Sequence, residues 1–128
     1  MKILVGYDGS LTSKEALKLA IKHAQVFGAT MEVVTSMEKG TDVKDEEKAL
    51  FGLEWAKSAV TEKEITCNTH LLIRGMSAGE DLIEFATDNK IDEIIVGVKK
   101  RSKVGKLLLG SVAQYVILEA SCPVVCVK

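Results

Sequence analysis

The feature that most constrains this chain is an alternation of short β-prone runs with longer amphipathic stretches, sustained from Ile3 to Val127. Ile3-Leu4-Val5-Gly6-Tyr7 is a continuous β-prone run, the pattern of a strand covered on both faces. Comparable runs predict strands at 31–36, 65–73, 93–97 and 124–127. Between them the period changes to that of a helix. Leu17, Ala20, Ile21, Ala24 and Phe27 form one stripe, opened by the capping box Thr12-x-x-Glu15 and closed by Gly28. Ala49, Leu53, Ala56 and Val60 form a second, flanked by Leu50 and Trp55, after a polar stretch from Glu38 to Lys48 that reads as a loop leading into the helix, with the acidic group Asp42, Asp45, Glu46 and Glu47 as a solvated helix start. Ser77-x-x-Glu80 opens a third helix with Leu82, Ile83 and Ala86 inward, and a fourth covers 111–120 with Val112, Ala113, Val116, Ile117 and Ala120 on one face.

The resulting order is βαβαβαβαβ. Strands joined through helices return to the same end of the sheet and run mostly parallel. The expected fold is therefore α/β: a single doubly wound open sheet of five mostly parallel strands with helices on both faces. At 128 residues this is one domain. Open sheets of this kind bind ligands beyond the carboxyl ends of their strands, where the strand order reverses. That rule selects the turn after the first strand, Tyr7-Asp8-Gly9-Ser10, and the segment from Gly97 onward. Pro123, the one proline, suits the start of the last strand, where its missing N–H is harmless.

Composition excludes several classes of function. With 47% hydrophobic and 27% charged residues the chain has enough apolar surface to fold. Its apolar runs fall far short of the roughly 20 residues of a membrane span, so no membrane association is expected. The start has no signal-peptide core, and the expected compartment is the cytoplasm. A net charge of −1 and only 5% aromatic residues argue against nucleic acid as a partner. Cys67, Cys122 and Cys126 lack metal-type spacing and read as small apolar residues in a reducing compartment. His23 and His70 carry no ligand motif, so neither a metal site nor a catalytic residue is assigned.

The segment Gly97 to Ser111 stands apart. It leaves a strand, carries Lys99, Lys100, Arg101, Lys103 and Lys106, and enters a helix at Gly110-Ser111. A helix N-terminus presents unpaired N–H groups and a partial positive charge, which suits a phosphate. Strand termination by Gly97, a helix cap at Gly110-Ser111 and a solvated lysine loop account equally well for the same residues. Neither a P-loop ending in Gly-Lys-Ser/Thr nor a G-x-G-x-x-G turn is present.

Taken together, the opening Ile3-Leu4-Val5-Gly6-Tyr7-Asp8-Gly9-Ser10 and the closing Leu107-Leu108-Leu109-Gly110-Ser111-Val112-Ala113 and Cys122-Pro123-Val124-Val125-Cys126-Val127 resemble the universal stress protein family over the whole chain. The ATP-binding branch of that family carries Gly, two residues, Gly, nine residues, Gly, then Ser or Thr. Gly97, Gly110 and Ser111 fall in register with it, while Lys100 stands at the middle glycine. The resemblance implies an adenine nucleotide alpha hydrolase-like fold that binds ATP, with or without Mg2+. It places Asp8 near the nucleoside, Ser36 and Val96 beside the adenine, and Gly97, Lys100, Gly110, Ser111 and Val112 around the phosphates. An Asx turn explains Asp8 equally well. The resemblance also implies a homodimer through the edge strand Val124–Val127, which would otherwise stay exposed. The alternatives are a domain of this family that acts through protein contacts without nucleotide, or a slow ATPase. Substituting Lys100→Gly separates two roles for that side chain. ATP affinity, measured calorimetrically, rises if the lysine obstructs the site; it falls and loses salt dependence if the lysine pairs with phosphate.

Overall fold

The computed structural model describes residues 1–98 and 109–128; Lys100, with Lys99, Arg101, Lys103 and Lys106, lies outside them. The chain runs β1 (Lys2–Gly6), α1 (Leu11–Phe27), β2 (Thr30–Ser36), α2 (Val43–Thr61), β3 (Cys67–Leu72), α3 (Ala78–Asp88), β4 (Glu93–Gly97), α4 (Ser111–Glu119) and β5 (Val124–Val127). The strands form one sheet in the order β3-β2-β1-β4-β5, and each neighbouring pair is parallel. The expected doubly wound sheet is thus present, parallel throughout. Strand order reverses between β1 and β4, the two strands whose following turns the sequence singled out.

The two-residue period of the strands divides the core between two layers. Ile3, Val5 and Tyr7 point to one face with Met31, Val33 and Ile95, and there meet Ala16, Leu17 and Ala20 of α1 and Leu53, Ala56 and Val60 of α2. Leu4 points to the other face with Val34, Ile94 and Val96, against Leu82 and Phe85 of α3 and Val116 of α4. Each fully buried Leu or Ile contributes about 1.5–3 kcal/mol by leaving water, so both layers are needed to offset chain entropy. The alanine stripe of α1 lets that helix lie close on the sheet. Gly28 ends it in the left-handed conformation (φ 65°) expected of a C-terminal glycine.

One helix start departs from the sequence reading. α1 is capped by Ser10, whose backbone is extended and whose Oγ accepts the Ser13 N–H at 3.2 Å, rather than by Thr12. Thr12 lies inside the first turn, and Glu15 pairs with Lys18 at 3.1 Å. α2 begins at Val43, inside the stretch read as a loop leading into it. Asp42 caps it, and Asp45 and Glu46 occupy its first turn, where the helix dipole favours carboxylates. The acidic group marks this start as expected, although the turn carries no apolar period of its own. The Ser77 cap of α3 is as expected, with Ser77 Oγ accepting the Glu80 N–H at 3.3 Å.

Three inward assignments also change. Phe27 is 56% exposed at the end of α1, and Ile117 is 43% exposed because α4 turns only Ala113 and Val116 fully inward. Phe85, absent from the predicted stripe, is buried and packs against His70 with ring centroids 4.7 Å apart and planes tilted by 56°. Pro123 precedes β5, and its carbonyl accepts the Ile94 N–H at 3.0 Å.

Cys67 at the start of β3 is buried, and burial, with a smaller contribution from Glu32, pushes its thiol up to about 11 from 9.0 against the opposing charge of Lys57. Between those values the folded chain keeps a proton that the unfolded chain has released. Stability therefore falls as pH rises from 9 to 11. Urea midpoints measured across that window are expected to decline in the native protein, with a shallower slope in Cys67→Val, by up to about 2 kcal/mol at the alkaline end.

Candidate functional site

A cavity of about 500 Å³ opens at the carboxyl ends of β1, β2 and β4, at the reversal of strand order. Its walls come from four sources: the β1–α1 turn, the end of β2, the first turn of α3, and the passage from β4 into α4. Of the residues named from the sequence, Asp8, Ser36, Val96, Gly97, Gly110, Ser111 and Val112 all line it. Lys100 falls outside the described residues.

The β1–α1 turn is held by backbone bonds to β2. Tyr7 N–H donates to Val34 O at 2.8 Å, and Thr35 Oγ1 donates to Tyr7 O at 2.7 Å. Asp8 then makes the Asx turn considered above, its Oδ1 accepting the Ser10 N–H at 2.9 Å. Gly9 follows with φ 80°, a conformation that costs other residues energy. Beneath the turn, burial and the charge of Asp8 both raise the Tyr7 phenol above its ordinary value, so it remains a neutral hydroxyl at neutral pH.

The β2 side is formed by Val34, Ser36, Ala78 and Leu82. Ser36 Oγ donates to Asp81 Oδ2 at 2.5 Å, and Arg74 Nε donates to Asp81 Oδ1 at 2.8 Å. Asp81 itself has no exposed surface.

The two glycines at the β4–α4 side have different physical roles. A Cβ on Gly97 would lie 2.7 Å from the carbonyl carbon of Thr12 and 2.8 Å from its oxygen. Gly97 is therefore a packing glycine: it lets the first turn of α1 rest directly on β4. Gly110 has an ordinary extended backbone (φ −61°, ψ 154°), and a Cβ there would meet no atom of the described residues within 4 Å. It caps α4 without any side-chain hydrogen bond, although Gln114 N–H returns to its carbonyl at 3.1 Å. Among the described residues no side-chain cap competes for the leading N–H groups of α4 beside the cavity, a field suited to an anion.

Several lining residues were not named individually as site residues: Gly6, Tyr7, Ser10, Thr12, Ser13, Val34, Ala78 and Leu82. Tyr7 and Ser10 belong to the selected turn, and Thr12 and Ser13 follow it closely and were within reach of the same rule. Ala78 and Leu82 come from a helix brought over the site by packing, with Leu82 against Gly6, and no local signal marks them. The histidines lie elsewhere and pair with strand carboxylates, His23 with Glu93 at 2.6 Å and His70 with Glu32 at 3.1 Å. Among the described residues no cluster of ligating side chains could hold a metal ion.

The universal stress protein family model matches residues 1–128. A universal stress protein from Thermus aquaticus, described by its place in the QAH/OAS sulfhydrylase 3′ region, is 37% identical over 98% of this chain and 97% of its own. A solved universal stress protein from Archaeoglobus fulgidus superposes with a TM-score of 0.91 at 37% identity, covering 100% of this chain and 98% of that one. A second structure from Archaeoglobus fulgidus, solved in complex with dAMP, gives 0.86 at 32% identity with the same coverage.

Because the Gly97 contact is with backbone atoms, Gly97→Ala is expected to cost about 1–3 kcal/mol as α1 is pushed off the sheet. Denaturant unfolding should show a lowered midpoint with an unchanged m-value; an unchanged midpoint would remove the packing role.

Proposed function

This chain belongs to the universal stress protein family, and from that premise we propose that it is a cytoplasmic regulatory protein that binds ATP or a related adenine nucleotide in the cavity beyond β1 and β4. The observation that carries this reading is the difference between the two glycines. Gly97 is explained by packing, whereas among the described residues no neighbour requires Gly110 to be glycine. The absent side chain at Gly110 leaves room for a ligand in front of the α4 N-terminus. A phosphate there is held by the backbone N–H groups of the first turn and by the Ser111 hydroxyl. Asp8 supplies a carboxylate beside the nucleoside, Val96 an apolar wall, and Mg2+ can accompany a triphosphate. The dAMP complex of the Archaeoglobus fulgidus protein supports the same class of ligand.

Binding of this kind regulates by changing the surface near the site rather than by turnover. The lining holds one described acid, Asp8, and no paired general base and nucleophile. In the same reading the protein acts as a homodimer. β5 is the edge of the sheet, and Cys126 on it is exposed, so a second copy pairing there would complete the strand's hydrogen bonding.

Mass spectrometry of freshly isolated, denatured protein should detect a bound adenine nucleotide. Gly110→Asp then tests the phosphate position directly. Aspartate is a good N-cap, so thermal stability should hold within about 1 kcal/mol. A negative charge at the phosphate position should weaken ATP binding by roughly tenfold or more. Equal affinity in Gly110→Asp would place the phosphates elsewhere.

A further inference from the structure

The cavity wall at β2 has a fixed hydrogen-bond polarity that the binding reading alone does not use. Asp81 lies in the first turn of α3, fully buried, where the helix dipole favours its carboxylate. Arg74 grips it twice, from Nε to Oδ1 at 2.8 Å and from Nη2 to the Asp81 carbonyl at 3.2 Å. A carboxylate only accepts hydrogen bonds, so Ser36 must donate its single proton to Asp81 Oδ2. Towards the cavity, Ser36 Oγ is left with lone pairs alone.

Topology says which part of a nucleotide meets that oxygen. The anion-holding end of α4 follows β4, while Ser36 ends β2, two strands away and roughly 10 Å across the sheet. Around Ser36 the wall is apolar, with Val34, Ala78 and Leu82, a surface suited to a flat heterocycle. Resting on the nucleotide reading above, we infer that Ser36 is a specificity-determining acceptor, oriented by Asp81 and Arg74, that favours a purine bearing an exocyclic amino group over one bearing a carbonyl there. An amino group donates to Oγ. A carbonyl would set two acceptors against each other in a partly buried wall, with the loss that an unpaired polar group carries. Asp81 and Arg74 are positioning residues, since they act through the serine.

The test compares AMP with IMP by calorimetry in the full chain. The native protein should prefer AMP by about tenfold or more, the value of one hydrogen bond gained against one left unmade. Ser36→Ala removes the acceptor and should bring the two affinities within about threefold of each other. In Asp81→Asn, Arg74 continues to hold Oδ1, so the amide NH2 faces Ser36 and donates to it. The serine proton then turns to the cavity, and the preference should move towards IMP. If Asp81→Asn does not fold, Ser36→Ala decides the matter alone. A native protein that binds both nucleotides alike, or a preference unchanged in Ser36→Ala, overturns this inference and leaves the nucleotide reading standing. A native protein that binds neither overturns the nucleotide reading, and this inference with it.

Discussion

β1 is hydrogen-bonded in parallel to β2 on one side and to β4 on the other, and the rest of the molecule is arranged around that double pairing. Its buried residues alternate between the two faces, so Ile3 and Val5 anchor α1 and α2 while Leu4 anchors α3 and α4. The chain leaves β1 for α1 on one face, and α4 packs on the other. A cavity remains between them at the carboxyl ends of the strands. The depth of that cavity depends on Gly97. Its backbone lies against the Thr12 backbone at a distance that excludes any Cβ, which sets how near α1 approaches β4.

Three helix N-termini reach this cavity, those of α1, α3 and α4, and they are not equivalent. α1 is capped by its own Ser10, which takes up the Ser13 N–H, and the Asx turn of Asp8 uses the Ser10 N–H as well. α3 is capped by Ser77. Among the described residues α4 has no side-chain cap, and a Cβ on Gly110 would meet no atom within 4 Å. The partial charge at α1 is therefore partly neutralised internally, while that at α4 is presented to a ligand. Opposite α4 the wall is apolar except for Ser36, whose hydrogen-bond direction is set from behind by the buried Asp81 carboxylate and its partly exposed partner Arg74. The cavity thus has a donor end and an acceptor end, the polarity a nucleotide requires.

Much of the fold was legible because its determinants are local and periodic. β4 and β5 fall where the apolar runs place them, and Gly28 and Ser77 act as the helix stop and cap that their residue types imply. The reading failed where position concealed the period. Phe85 sits outside the assumed stripe, and Ile117 keeps its helical spacing although α4 turns it to solvent. Ser10 and Thr12 are both good caps, and only backbone conformation selects between them.

The amino-acid sequence by itself determined the alternation of elements, the parallel sheet and the two turns at which a ligand can bind, because each follows from short-range period and connection rules. It also placed Asp8, Ser36, Val96, Gly97, Gly110, Ser111 and Val112 among the candidates that line one cavity. Tertiary structure alone decided what those residues do there. Gly97 meets Thr12, and Ser36 meets Asp81 across 45 positions of chain, contacts that no local pattern encodes. The physical reason is that a glycine's role depends on which atom lies opposite it, and a hydroxyl's polarity on which partner claims its proton. Both are fixed only when distant segments pack.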